Sequence, residues 1–203
     1  MAPDVAGRLA EVRRRVGDAV VVVAVTKGFG PDAARQAVDA GIVDLGENYA
    51  QELTAKAAGV GGAHWHFLGH VQRNKVKGLA PLVHLWQGVD RPGVLPAGAR
   101  ALVQVNLSGL PGRIGCTWDD GPGLVERLRA EGVEVRGVMG VAGPGDPRPG
   151  FRRLAGLARD LGLAEVSMGM SGDYEAAVAE GATMVRLGTA LFGPRPQRGD
   201  LRR

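Results

Sequence analysis

Apolar positions along the chain follow two alternating rhythms. In residues 4–16, Val5, Leu9, Val12 and Val16 recur at helical spacing, leaving one apolar face on a polar stretch. Residues 19–27 then form a continuous valine-rich run, the pattern of a strand buried on both faces in a parallel sheet. The same alternation continues to the end. It predicts helices over 31–41, 50–59, 72–82, 121–132, 151–162 and 173–181, and strands over 42–48, 63–70, 83–90, 101–108, 133–141, 164–171 and 183–193. Pro31 opens the first of these helices and Gly41 closes it, each where helix signals place it.

With the first strand, eight strand segments alternate with helices after an extra N-terminal helix. That order predicts an α/β fold, a single (β/α)8 barrel over residues 1–203, with a doubly wound open sheet as the rival. One crossover breaks the pattern. Residues 91–100 hold two prolines and two glycines where a helix belongs, so a shortened crossover and a thinner outer ring are expected there.

Composition narrows the picture. The 203 residues suit one domain, and 45% apolar with 23% charged residues is ordinary for a soluble protein. The net charge of +4 raises the question of nucleic acid, but the arginine clusters at 13–15, 152–153 and 202–203 come with few aromatics and no recognition motif, so none is expected. Cys116 is the only cysteine, which excludes an internal disulfide and suits a structural role. The first residues lack a signal-peptide core and no apolar run is membrane length, so a cytoplasmic chain is expected, as a monomer.

Candidate chemistry starts at Lys27, which closes the first strand. Strand ends face the active-site mouth of a barrel, and an apolar setting disfavours the ammonium form, leaving an amine able to form a Schiff base with an aldehyde. A lysine snorkelling to solvent is the plain alternative. The ends of strands seven and eight, where barrels often hold phosphate, offer Ser171, Gly172, Gly188 and Thr189. Ser171 also suits the N-cap of the helix over 173–181. Glu47, Asn48 and Tyr49 end the second strand and could contact a ligand or form a polar turn. His64 and His66 share one face of the third strand, a conceivable zinc pair, but no further ligands accompany them, so no metal is expected.

Taken together, VAVTKGFGPDAARQAVDAG, LGENYAQE, WHFLGHVQRNK, LVQVNLS and SMGMSGDYEAAVAEGATMVRLGTALFG resemble the pyridoxal-phosphate homeostasis protein family, single-domain relatives of the alanine racemase N-terminal barrel. The resemblance implies pyridoxal 5′-phosphate as cofactor, held on Lys27 as a Schiff base, with Ser171, Gly188 and Thr189 at its phosphate and Met170 beside them. It implies Arg186 facing the pyridine nitrogen and Asn48 and His66 near the ring. A cationic arginine there weakens the ring as an electron sink. Alanine racemases add a second domain with a tyrosine base, whereas only PRPQRGDLRR follows the last strand here. The implied role is therefore a carrier or buffer of the cofactor in vitamin B6 homeostasis, without clear catalysis, serving apoenzymes as recipients. A low-efficiency amino-acid racemase and a cofactor-free Schiff-base aldolase are the alternatives.

Overall fold

The computed structural model describes residues 4–195, so the arginines at 202–203 and most of PRPQRGDLRR lie outside the described residues. Helix α1 (Val5–Val16) starts where the Asp4 side chain accepts a hydrogen bond from the Gly7 N–H at 2.9 Å, and ends where Gly17 takes φ 79°. Strands β1 (Val21–Val25), β2 (Asp44–Glu47), β3 (His64–Phe67), β4 (Val83–Val89), β5 (Arg100–Val105), β6 (Glu134–Gly140), β7 (Glu165–Ser167) and β8 (Met184–Leu187) follow, each one inside its predicted segment or within a residue of it. They pair in chain order, all parallel, and β1 closes on β8 through Val21–Met184 and the three pairs beyond it. The barrel expectation holds, and the open-sheet rival does not.

The ring of α2 (Pro31–Asp39), α3 (Ala50–Ala57), α4 (Arg73–Leu79), α5 (Asp120–Ala130), α6 (Arg148–Asp160) and α7 (Tyr174–Ala179) packs outside. Between β4 and β5 there is no helix, as the prolines foretold. Val94 and Leu95 from that segment are buried against the main core in its place. The Gly93 N–H donates to Glu131 at 2.9 and 3.0 Å and the Gly98 N–H to the Gly132 carbonyl at 2.8 Å, so a short, pinned loop closes the gap.

One element was misread. The last strand stops at Leu187, and Thr189–Phe192 forms a short helix, α8, rather than continuing the strand to 193. Leu191 and Phe192 are buried, so the apolar run continues across a change of backbone conformation that hydrophobicity alone does not mark.

Two cores result. The larger lies between sheet and helices; a smaller one, Val23, Leu85, Leu102, Met139 and Met184, fills the barrel interior. Gly46 keeps that interior from overfilling: a Cβ there would sit 2.7 Å from Leu68 and 3.0 Å from Val23. Threaded beside the inner core is a set of buried polar residues, His66, Gln87, Ser167 and Arg186. Among the described residues no helix is long and apolar enough to cross a membrane.

Candidate functional site

A cavity of about 840 Å³ opens at the C-terminal ends of the strands. Lys27, Asn48, Met170, Ser171, Arg186, Gly188 and Thr189 all line it, brought together from β1, β2, β7 and β8. His66 does not. It sits one layer lower in the barrel, 1% exposed, bonded to Gln87 and Asp44. Glu47 is also absent from the cavity wall and lies fully buried, bonded to Lys56 of α3.

Lys27 is half-buried, and burial pushes its ammonium below the usual lysine range, helped by the charges of Arg195 and Arg186. Its backbone neighbours are fixed from the α3 side. Lys56 Nζ donates to the Thr26 carbonyl at 2.8 Å, to Glu47 Oε1 at 2.5 Å and to Glu52 Oε2 at 3.0 Å. Thr26 Oγ1 donates to the same Glu47 oxygen at 2.6 Å, and the Gly28 N–H donates to Glu52 at 2.9 Å. Gly28 takes φ 75°, a left-handed turn that lets the chain leave the strand directly after Lys27. Burial pushes the Glu47 carboxyl up, while hydrogen bonds from Lys56 and Thr26 oppose that rise. Lys56 and Glu52 escaped the sequence reading, although their i,i+4 spacing on α3 marks them as neighbours.

The opposite wall carries hydroxyls and backbone donors. Ser171 Oγ accepts from the Gly188 N–H at 3.3 Å and the Ala190 N–H at 3.1 Å, so it serves the turn into α8. Asp173, not Ser171, occupies the N-cap position of α7, and its carboxylate turns back to accept from the Met170 N–H at 2.6 Å instead of capping the helix. A Cβ on Gly172 would meet nothing within 4 Å, leaving open space at that wall.

At the cavity floor lies Arg186, buried, with its guanidinium donating to Ser167 Oγ at 2.7 Å and the Gly140 carbonyl at 2.8 Å. Burial lowers its pKa to about 10, so it stays cationic at neutral pH without an adjoining carboxylate. Asn48 Oδ1 is a buried acceptor with no partner, a group that a bound donor would satisfy. Tyr49, His70, Gln72, Lys75 and Gln104 complete the wall; the sequence drew notice to Tyr49 as a polar strand end and to His70 as a histidine following the His64 and His66 pair.

Cys116 is away from this wall, and burial pushes its thiol up to about 11, which keeps it unreactive at neutral pH. His64 stacks on His84 with centroids 4.4 Å apart, and among the described residues no group of three or more His, Cys, Asp or Glu side chains is arranged to hold a metal.

A closed parallel barrel with a desolvated lysine ending β1 and a hydroxyl-lined wall at β7 and β8 defines a class, and the family described as alanine racemase, N-terminal domain, matches residues 4–196. Within it, a pyridoxal phosphate homeostasis protein of Deinococcus radiodurans is 43% identical over 190 residues, covering 88% of this chain and 91% of the relative. One of the same name from Pseudomonas aeruginosa is 39% identical, covering 94% and 93%. PipY of Synechococcus elongatus, solved with PLP bound, superposes with a TM-score of 0.81 at 30% identity over 94% of this chain and all of that one. The chain belongs to the pyridoxal phosphate homeostasis protein family. An alanine racemase from Corynebacterium glutamicum shares the fold at TM-score 0.75 and 17% identity, with this chain spanning 62% of its length.

Proposed function

We propose that this chain binds pyridoxal 5′-phosphate in the cavity at the mouth of the barrel and carries or buffers it rather than turning over a substrate. The observation that carries this reading is one cavity holding a lysine with a depressed pKa, a hydroxyl-lined wall and a buried arginine. When bound, the cofactor supplies an aldehyde that forms a reversible Schiff base with an amine. Lys27 is the amine, and its desolvation raises the neutral fraction that can react. Ser171, Gly188 and Thr189, with Met170 beside them, hold the phosphate at the β7 and β8 ends. The open space at Gly172 gives that group room. Asn48 Oδ1, lacking a partner, takes a donor near the ring. Arg186, cationic and fixed by two hydrogen bonds, faces the ring nitrogen and disfavours its protonation, which suits storage better than carbanion chemistry. Relatives named homeostasis proteins support the same role.

Borohydride reduction of the protein incubated with pyridoxal phosphate, followed by peptide mass mapping, tests this. The mass of a pyridoxyl phosphate adduct on the Lys27 peptide supports the reading; an unmodified Lys27 peptide removes it. A racemase reading is kept because the Tyr49 phenol also lines the cavity and could act as a second proton carrier. It requires Lys27-dependent exchange of an amino acid's Cα proton in deuterated water.

A further inference from the structure

The polar residues inside the barrel form one chain. Arg186 Nη1 lies 2.7 Å from Ser167 Oγ, Ser167 Oγ 2.7 Å from Gln87 Oε1, Gln87 Nε2 2.7 Å from His66 Nδ1, and His66 Nε2 3.1 Å from Asp44 Oδ1. It begins at the cavity and ends at Asp44, the first residue of β2, near the opposite mouth. Its members come from five strands, β8, β7, β4, β3 and β2.

The direction of the links follows from the Arg186 end and from the orientation of the Gln87 amide. A guanidinium has no acceptor, so Arg186 donates. Ser167 has one proton, and having accepted from Arg186 it gives that proton to Gln87 Oε1. The Gln87 amide has its oxygen toward Ser167 and its nitrogen toward His66. Its contact with Met184 Sδ at 3.0 Å agrees, since sulfur is a weak acceptor and a poor neighbour for a carbonyl oxygen. His66 Nδ1 must then accept, which places the ring proton on Nε2, where it meets the Asp44 carboxylate. The chain runs one way from a buried cation to an anion, through three neutral groups.

We propose that Ser167, Gln87 and His66 are positioning residues for Arg186, a one-way hydrogen-bond chain that aims its guanidinium at the cavity and ties its charge to Asp44 at the far end of the barrel. The proposal rests on the reading that Arg186 faces the bound cofactor. Arg186 has only a hydroxyl and a carbonyl, both neutral, as hydrogen-bond partners; the Asp173 carboxylate acts on it through space without bonding it, and Asp44 is reached only through the chain. Around the Asp44 end stand His64 at 3.5 Å from Asp44, His84 stacked on His64, and Arg100, whose Nη1 lies 3.4 Å from His84 Nδ1 and which pairs with Glu134. Burial opposes ionisation of Asp44, but hydrogen bonds from His66 and His64 oppose burial and hold the carboxyl below its usual range. Burial, and after it the charge of Arg100, push His84 down, favouring its neutral form.

The first test uses the wild-type protein and does not depend on cofactor. Long-range ¹H–¹⁵N spectra of the imidazoles at pH 7 are expected to show His66 neutral, protonated on Nε2 and bare on Nδ1, in both the free and pyridoxal-phosphate-loaded protein. A proton on Nδ1, or an imidazolium, overturns the chain. The second test titrates the visible absorbance of the loaded protein against pH. Asp44→Asn removes the remote anion, leaves the cavity walls intact and is expected to move the midpoint to lower pH by roughly 0.3–1 unit, the smaller part of it the through-space loss of one charge and the larger part the loosened aim of Arg186. Gln87→Met cuts the chain, and in it Asp44→Asn is expected to move the midpoint by less than half as much. Equal shifts in both backgrounds, or none in either, overturn the proposal. A protein that shows the Nε2 tautomer yet acquires no visible band refutes the cofactor reading and, with it, the role given to Arg186.

Discussion

Lys56→Met tests the buried cluster that joins α3 to the strand ends beside Lys27. Lys56 is 3% exposed and Glu47 0%, and the ammonium donates to three oxygens within 3.0 Å. Methionine fills similar space but leaves Glu47 a buried carboxylate without its counter-charge. Removing one partner of such a pair costs about 3–5 kcal/mol. The loss has a characteristic pH dependence. Without Lys56, burial keeps Glu47 protonated in the folded chain at pH values where the unfolded chain has released that proton. The folded state then binds more protons, so stability falls as pH rises, by up to ~1.4 kcal/mol per pH unit. Urea unfolding followed by tryptophan fluorescence reads this, because Trp65 and Trp86 are buried. Wild type and Lys56→Met should diverge at pH 8 and converge toward pH 5. Adding Glu47→Gln removes the buried charge and should restore about 2 kcal/mol at pH 8. A loss below ~1 kcal/mol that is flat with pH would refute the reasoning, since it would mean Glu47 is solvated without Lys56.

Other outcomes follow from the same geometry. Covalent capture of pyridoxal phosphate should rise with pH and level off below the usual lysine range, and Arg186→Met should move that midpoint upward because one of the cations lowering Lys27 is gone; stopped-flow absorbance measures both. Gly137→Ala should prevent accumulation of folded protein, because its Cβ would sit 1.9 Å from the Glu165 carbonyl oxygen, whereas Gly78→Ala, in α4 with nothing within 4 Å, should raise stability by about 0.5–1 kcal/mol in the same urea assay. Cys116, with its thiol near 11, should alkylate with iodoacetamide at pH 7.5 at least about a hundredfold more slowly in the native chain than in urea; equal rates would show that the thiol is not shielded.

The barrel was readable because each strand buries both faces and so prints as a short apolar run, while each helix prints a face. Residues 91–100 were readable as a helix-free crossover for the opposite reason, their prolines and glycines. The turn at Gly188 was not, since Leu187, Leu191 and Phe192 keep the run apolar while the backbone changes from strand to helix. At the site, Lys27 and the residues of β7 and β8 were found because they end strands, and strand ends line the mouth. His66 was placed on the right face of β3, but periodicity does not give depth. It lies two residues before Leu68, which reaches the cavity while His66 stays in the layer below. The partners that explain it, Gln87 and Asp44, are 21 and 22 residues away, and those of Arg186 and Ser167 are 19 and 80 away. Pairings of that range come only from the closed barrel.

The central claim is that Lys27 is the residue that takes the cofactor's aldehyde. Its most direct test is the visible spectrum of the purified protein titrated with pyridoxal phosphate, beside Lys27→Ala. Wild type should develop a protein-bound band that saturates at one equivalent and is lost on borohydride treatment, and Lys27→Ala should show only the spectrum of free pyridoxal phosphate. The same saturable band in Lys27→Ala, or none in wild type, would contradict the account.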